Sequence, residues 1–158
     1  MTREEQRQRV IEACIQHQQH IAATAKQEMD SAQQQSNDYG QNVDRYDSFR
    51  TKIMRARDMY ARQYSNAMTS VRYLQDLQKM VPLDVADYGA VVLTDKQKFF
   101  LSVGAGKFMV PFLQQPNAPQ EVFFAISAQV PVYQALKGKR KGEQFTVNGL
   151  TQTIIDIF

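Results

Sequence analysis

The first 81 residues contain no proline, and Gly40 is the only glycine among them. Because proline and glycine are the residues that most often interrupt helices, this stretch predicts two long helices that meet at Gly40. Glycine suits the left-handed position just past a helix end, and Asn42 suits the N-cap of a following helix. Asp44 would then lie in the first helical turn, near the positive end of the macrodipole. The pattern predicts a helical hairpin whose tip lies at about residues 36–47.

Apolar residues recur at helical spacing in both segments, so each helix has one narrow apolar seam. From Arg3 to about Gln35 these residues are Val10, Cys14, Ile21, Ala25 and Met29. From Val43 to about Met80 they are Val43, Tyr46, Ile53, Tyr60, Tyr64, Ala67, Val71, Leu74 and Leu77. A helix of about 35 residues is about 50 Å long and cannot form a compact core alone. Two such seams and a short turn favour an antiparallel coiled coil over a glutamine-rich low-complexity segment.

The composition changes at Pro82, which is the first of the five prolines and precedes six of the seven glycines. This change predicts a boundary between a hairpin of residues 1–80 and a globular domain of residues 84–158. Strands are expected at 90–93, 99–103, 108–110, 122–126, 144–147 and 151–157, with a tight turn at Asn148-Gly149. A short helix should follow Pro131, which suits a first helical position. The expected fold is α+β: a coiled-coil hairpin, then a small, mostly antiparallel β domain with one short helix.

Composition excludes several classes of function. No apolar run approaches the length of a membrane span, and residues 1–6 lack the apolar core of a signal peptide. Cys14 is the only cysteine, which fits a reducing cytoplasm. His17 and His20 are not at the spacing of paired zinc ligands on one helix face, and no phosphate-binding loop or nucleophile elbow occurs. The net charge of +3 permits a nucleic-acid-associated partner without requiring one.

The order of parts resembles the Gre family of bacterial transcript-cleavage factors, which have a coiled-coil hairpin followed by an FKBP-like domain. The most specific match is Ile126-Ser127, Val130-Pro131-Val132, Ala135-Leu136, Gly138-Lys139 and Gly142-Glu143, which is similar to the family's "IS…SP…ALLGK…GD". Val130 stands where the family usually has serine. At the tip, residues 37–44 are similar to the family's "GDLKENAEY". The resemblance covers nearly the whole chain in architecture and about a dozen residues in motifs.

The resemblance implies a function in transcription. Gre factors insert the hairpin into the secondary channel of RNA polymerase, while the globular domain holds the channel rim. Acidic tip residues then help the polymerase to bind a second Mg²⁺ and to position water, so that a backtracked transcript is cut. The implied partners are RNA polymerase and nascent RNA. The implied protein is a cytoplasmic monomer that binds no cofactor of its own, shares Mg²⁺ with the polymerase and is not itself an enzyme.

The resemblance also implies site residues. Asp38 falls on the acidic tip position and would be the metal ligand. Gln41 falls on the second acidic position, where the family has glutamate, and an amide carries no charge and cannot act as a base. Asp44 and Asp47, spaced i,i+3 on one helix face, are candidates to compensate. The expected RNA-binding residues are Arg50, Lys52, Arg55 and Arg57, with Arg62 nearby, and the expected polymerase contacts are Ser127, Val130, Pro131 and Val132.

Other interpretations of the same residues remain open. A lone aspartate at a loop tip is often only solvated, and a run of cations on a helix is often a solvated face. Because of Gln41, the chain is alternatively a cleavage-incompetent regulator that occupies the same channel. Two alternatives lie outside transcription. One is a coiled-coil scaffold protein, and the other is an isomerase-like enzyme, which rests on analogy with the FKBP fold alone.

Overall fold

A computed structural model describes residues 2–38, 48–111 and 120–158. The described elements are α1 (Arg3–Asp38), α2 (Ser48–Leu77), β1 (Val91–Thr94), β2 (Lys98–Leu101), β3 (Gly106–Pro111), β4 (Gln120–Ile126), α3 (Pro131–Leu136), β5 (Gln144–Val147) and β6 (Leu150–Ile157). The chain divides into two compact units, Met1–His17 with Arg72–Phe158, and Gln18–Val71. The predicted boundary at residues 80–84 stays a prediction. The predictions for Gly40, Asn42 and Val43 lie outside the described residues.

The first turn of α1 is stabilised by a capping box. The Thr2 hydroxyl accepts a hydrogen bond from the Glu5 backbone N–H at 3.1 Å, and the Thr2 N–H donates to the Glu5 carboxylate at 2.7 Å. Two donors that the helix cannot satisfy internally therefore find reciprocal partners. The hydrogen bond from the Thr2 N–H is the main reason that the pKa of Glu5 is lowered. Sequence and geometry agree that α1 begins at Arg3.

Helices α1 and α2 pack in antiparallel directions. Gln8 Nε2 donates to the Gln78 carbonyl at 2.9 Å, and Arg57 Nη1 donates to Gln33 Oε1 at 2.8 Å. A residue near the start of α1 thus contacts the residue just after the end of α2, and a residue near the end of α1 contacts an earlier part of α2, as in an antiparallel pair. The predicted hairpin of two long helices is confirmed for the described residues.

Each helix carries a seam with alternating steps of four and three residues, which is the spacing of a coiled coil. In α1 the seam positions are Ile11, Ile15, Gln18, Ala22, Ala25, Met29, Ala32 and Ser36, all buried or half-buried. In α2 they are Ile53, Arg57, Tyr60, Tyr64, Ala67, Val71 and Leu74, also buried or half-buried. Half of the seam residues of α1 are alanine or serine, whereas the seam of α2 contains the larger side chains of Arg57, Tyr60 and Tyr64. Gln18 and Ser36 are polar seam members that an apolar pattern does not reveal.

Six described strands form one sheet in the order β3-β4-β2-β1-β6-β5. Four of its pairs are antiparallel, and the β2–β4 pair, with Phe99 beside Phe124, is parallel. The predicted mostly antiparallel sheet is therefore confirmed with one parallel pair. The β5–β6 hairpin turns at Asn148 and Gly149, whose φ angles of 52° and 76° are those of the expected tight turn.

Helix α3 packs on an apolar cluster of the sheet. Pro131 is its first residue, as predicted, and Tyr133 and Leu136 are the buried positions. The cluster around them consists of Ala86, Ala90, Val92, Phe99, Leu101, Phe145, Ile154 and Ile157. Burial of these side chains is the main source of stability for this part of the chain. A second set of buried apolar residues includes Phe100, Phe108 and Phe123.

Arg7 is a charged side chain that is fully buried. Its guanidinium donates to the carbonyls of Leu77 and Met80, both at 2.9 Å, and of Gly89 at 3.0 Å. The first two carbonyls belong to the end of α2 and the residues just after it, and the Leu77 carbonyl also accepts a hydrogen bond from the Met80 N–H at 3.1 Å. Arg7 of α1 therefore caps α2 and ties both helices to residue 89.

In the part of the chain that the structure describes, neither long helix is apolar enough over a sufficient length to span a membrane.

Candidate functional site

Asp38 is the last residue of α1, and its side chain is exposed. One carboxylate oxygen accepts a hydrogen bond from Gln34 Nε2 at 2.8 Å, and Gln33 donates to Asn37 with the same spacing at 3.1 Å. No basic residue lies in the last turn of α1. The carbonyl groups at a helix C-terminus carry partial negative charge, so they add to the negative charge of Asp38. This end of α1 therefore attracts cations.

The remaining tip residues, Gln41, Asp44 and Asp47, lie outside the described residues. Among the residues that are described, no group of three metal-binding side chains occurs. The described part of the tip therefore contributes one carboxylate, that of Asp38, whose oxygens are of the kind that Mg²⁺ prefers.

The four predicted RNA-binding residues fall into two pairs. Arg50 and Arg57 are half-buried and turn towards α1, where Arg50 Nη2 donates to the Ser36 carbonyl at 3.4 Å. Arg57 donates to Gln33 and also forms a salt bridge with Asp58 at 3.1 Å. Lys52 and Arg55 are exposed. Lys52 and Arg55 can therefore bind a ligand without breaking a contact within the chain, whereas Arg50 and Arg57 cannot.

Arg62 extends the exposed pair into a stripe. The residues Lys52, Arg55, Met59 and Arg62 are spaced three, four and three apart, so they lie on one face of α2. All four are exposed, and Met59 retains 41 % of its accessible surface. We call these four residues the basic stripe. The spacing of these residues can be seen in the sequence. Charge alone, however, does not distinguish the exposed Arg62 from Arg57, which lies in the seam.

The predicted polymerase contact lies at the start of α3. Val130 is the N-cap residue and provides no side-chain hydrogen bond, whereas a serine there would supply a capping hydroxyl. Val130 and Val132 pack partly against the apolar cluster beneath α3. Pro131 is exposed, and Ser127 is half-buried with its carbonyl 3.2 Å from the Val130 N–H. Of the four residues, Pro131 offers the most accessible side chain.

A cavity of about 380 Å³ lies beside the turn that joins β1 to β2. Its lining residues are Thr94, Asp95, Lys96, Gln97, Lys98, Val122 and Phe124. Among the described residues that line it, Phe124 is the one aromatic. The isomerase hypothesis calls for an aromatic-lined pocket, and this cavity offers one ring. That hypothesis stays untested.

Comparisons with protein-family models, with curated proteins and with solved structures found no match to this chain.

Proposed function

We propose that this chain is an RNA polymerase-binding elongation factor of the Gre type. In this proposal, its hairpin enters the secondary channel of the polymerase and places Asp38 at the active centre. The observation that carries the proposal is an exposed carboxylate at the end of a long, paired helix, joined to a small β domain. The Gre-like residues at 37–44 and 126–143 supply the link to transcription.

The chemistry of the proposal needs only charge and position. Two-metal hydrolysis uses ions about 4 Å apart that stabilise the attacking and leaving oxygens. Mg²⁺ prefers oxygen ligands, so an added carboxylate raises the occupancy of a weakly held second ion. Residues 18–38 of α1 alone rise about 30 Å, so a helical arm can reach into a deep channel. The nuclease chemistry remains that of the polymerase.

The basic stripe is the candidate contact surface for RNA. Cations bind phosphates through charge and need no base-specific geometry. Lys52, Arg55 and Arg62 would therefore contact the extruded RNA, with Met59 packing against sugar or base. Arg50 and Arg57, which were also expected to bind RNA, would instead stabilise the hairpin.

A second candidate function is favoured by Gln41. Because glutamine lacks the charge of the family's glutamate, the tip has one fewer carboxylate ligand for Mg²⁺. A chain that binds the channel without stimulating cleavage would be a regulator that competes with true Gre factors. Both candidates require polymerase binding, whereas a scaffold protein or an isomerase does not.

Two measurements on purified core polymerase test the proposal. The chain should bind core polymerase, and failure to bind would exclude both transcription functions. In stalled, backtracked complexes we expect weak stimulation of transcript cleavage, which Asp38→Asn should abolish. Asp30→Asn is the matched control, because Asp30 is an exposed carboxylate on the same helix. Strong cleavage that survives Asp38→Asn would refute the assignment of Asp38.

A further inference from the structure

A second cavity, of about 400 Å³, lies in the unit formed by Met1–His17 and Arg72–Phe158. Its lining residues are Arg3, Asp84, Arg140, Lys141, Asp156 and Ile157. None of them belongs to the tip, the basic stripe or the polymerase contact described above. The volume is within the range of pockets that bind small molecules. Five of the six side chains are charged, so its ligand must be polar.

The three cations of this cavity differ in their partners. Arg3 is engaged: Nη1 lies 3.5 Å from Asp84, Nη2 lies 3.5 Å from Asp156, and Nη2 also donates to the Ile157 carbonyl. Arg140 and Lys141 form no salt bridge with any carboxylate in the described part of the chain. The three cations and two carboxylates leave the cavity with a net charge of +1, and Arg140 and Lys141 are the cations that can pair with an anionic ligand.

The segment that carries these two cations is fixed at both ends. The Gly138 N–H donates to the Ala86 carbonyl at 2.8 Å, and the Gly142 N–H donates to the Ile154 carbonyl at 2.8 Å. Both glycines have positive φ angles, of 82° and 89°, which other residues adopt only with strain. Because the backbone of this segment is held by these hydrogen bonds, an anion bound to it would have to immobilise only the side chains of Arg140 and Lys141.

We propose that this cavity binds a small phosphorylated ligand. Arg140 and Lys141 hold the phosphate, since the guanidinium group matches phosphate oxygens in pairs and the ammonium group adds charge. Asp84 accepts a hydrogen bond from a hydroxyl or amino group of the same ligand. Its side chain is 81 % exposed, whereas Asp156 is 30 % exposed and already accepts from the Ile157 N–H. A mononucleotide has both features, a phosphate and sugar hydroxyls. This inference does not depend on the proposed function.

Calorimetric titration of the full chain with pyrophosphate and with adenosine monophosphate tests the phosphate half of the proposal. We expect saturable binding of both probes, weakened about tenfold or more in the Arg140→Gln/Lys141→Gln variant. The Lys107→Gln/Lys137→Gln variant loses the same charge at exposed positions elsewhere and should bind as the native chain does. No binding by the native chain, or equal weakening in both variants, would overturn the proposal.

The Asp84→Ala variant, which removes the acceptor oxygens, tests the other half. It should weaken binding of adenosine monophosphate but not of pyrophosphate, which carries no donor hydroxyl of the sugar type. Unchanged affinity for the nucleotide would overturn the role of Asp84. Amide chemical shifts of the native chain provide a measurement that needs no variant. Pyrophosphate should shift the signals of residues 139–142, and shifts confined to α2 would contradict this site.

Discussion

Arg7 shows how a single buried charge is accommodated in this fold. Burial lowers the pKa of its guanidinium because the charged form loses water. Three carbonyls, of Leu77, Met80 and Gly89, offset this loss by accepting charged hydrogen bonds. The sequence shows an arginine on an amphipathic helix and nothing that marks it as buried. Only the packing of the α2 terminus against α1 creates its environment.

Replacing Arg7 by methionine should reduce the free energy of unfolding by about 3 kcal/mol, because the carbonyls of Leu77, Met80 and Gly89 each lose a charged donor, although the Leu77 carbonyl keeps the Met80 N–H. Arg72→Met is the matched control, since Arg72 is exposed, and it should change stability by less than about 0.5 kcal/mol. Urea denaturation followed by circular dichroism measures both values. If Arg7→Met is as stable as the native chain, Arg7 is not the cap that its geometry indicates.

Cys14 should be inert in the folded chain. It is fully buried, and burial raises the pKa of its thiol from 9.0 to about 12. Because the thiolate is the reactive form, labelling by a thiol reagent at pH 8 should be about 1000-fold slower in the folded than in the unfolded chain, the ratio given by three pKa units. Fast labelling of the native protein would show that the packing around Cys14 opens readily.

The same shift makes stability depend on alkaline pH. The folded-state pKa of Cys14 lies above its unfolded value, so the folded state holds its proton more tightly. The contribution is present below about pH 9 and is lost as the pH rises towards 12. The native chain should therefore lose more stability between pH 8 and pH 10 than Cys14→Ala does. Equal losses in the two proteins would contradict the shift.

At the scale of elements, the periodicity of the sequence was enough to predict both long helices and their pairing. It also predicted the six strands and the position of Pro131, because alternation and turn residues are local signals. It did not predict the parallel pairing of β2 with β4, since strand order depends on where β3 and β4 return in three dimensions. The predicted seam of α1 agrees with the structure only at Ala25 and Met29. The other seam residues were missed, and for the polar pair Gln18 and Ser36 the reason is that burial of a polar side chain is decided by its neighbours.

The candidate site was predictable only in part. Asp38 was located from a resemblance and is exposed at the end of α1, but the functions assigned to it stay predictions. The basic residues of α2 were identified by charge, which cannot say which cation turns inward. Contacts to Ser36 and Gln33 separate Arg50 and Arg57 from the exposed cations. The basic stripe is therefore defined by the exposed face of α2 on which its residues lie, and not by how many charges occur along this part of the sequence.

The basic stripe should dominate the salt dependence of RNA binding. Lys52→Gln/Arg55→Gln removes two exposed cations, so the slope of log affinity against log salt for a single-stranded RNA should fall by about 1.4. Arg57→Gln should leave the slope unchanged and lower the melting temperature, because Arg57 contacts Gln33. Fluorescence anisotropy at several salt concentrations measures the slopes. A larger change for Arg57→Gln would place the RNA on another face.

At the scale of the whole molecule, the chain combines a helical hairpin with a β domain, and each carries a different candidate site. Asp38 and the basic stripe lie on the two long helices, and they are the residues that the proposed function assigns to metal ions and RNA. The phosphate-binding cavity lies beside the sheet and suits a small ligand. The two sites share no residue, so variants of one leave the other intact.

In the proposed function, the hairpin tip donates carboxylate ligands to an active centre that belongs to the polymerase. Gln41→Glu tests it most directly, because it restores the charge that the Gre family has at this position. In backtracked complexes, Gln41→Glu should raise the rate of transcript cleavage about tenfold, the factor given by 1.4 kcal/mol of transition-state stabilisation. The gain should vanish when Asp38→Asn is added. No gain from Gln41→Glu, or a gain that persists without the Asp38 carboxylate, would contradict the claim.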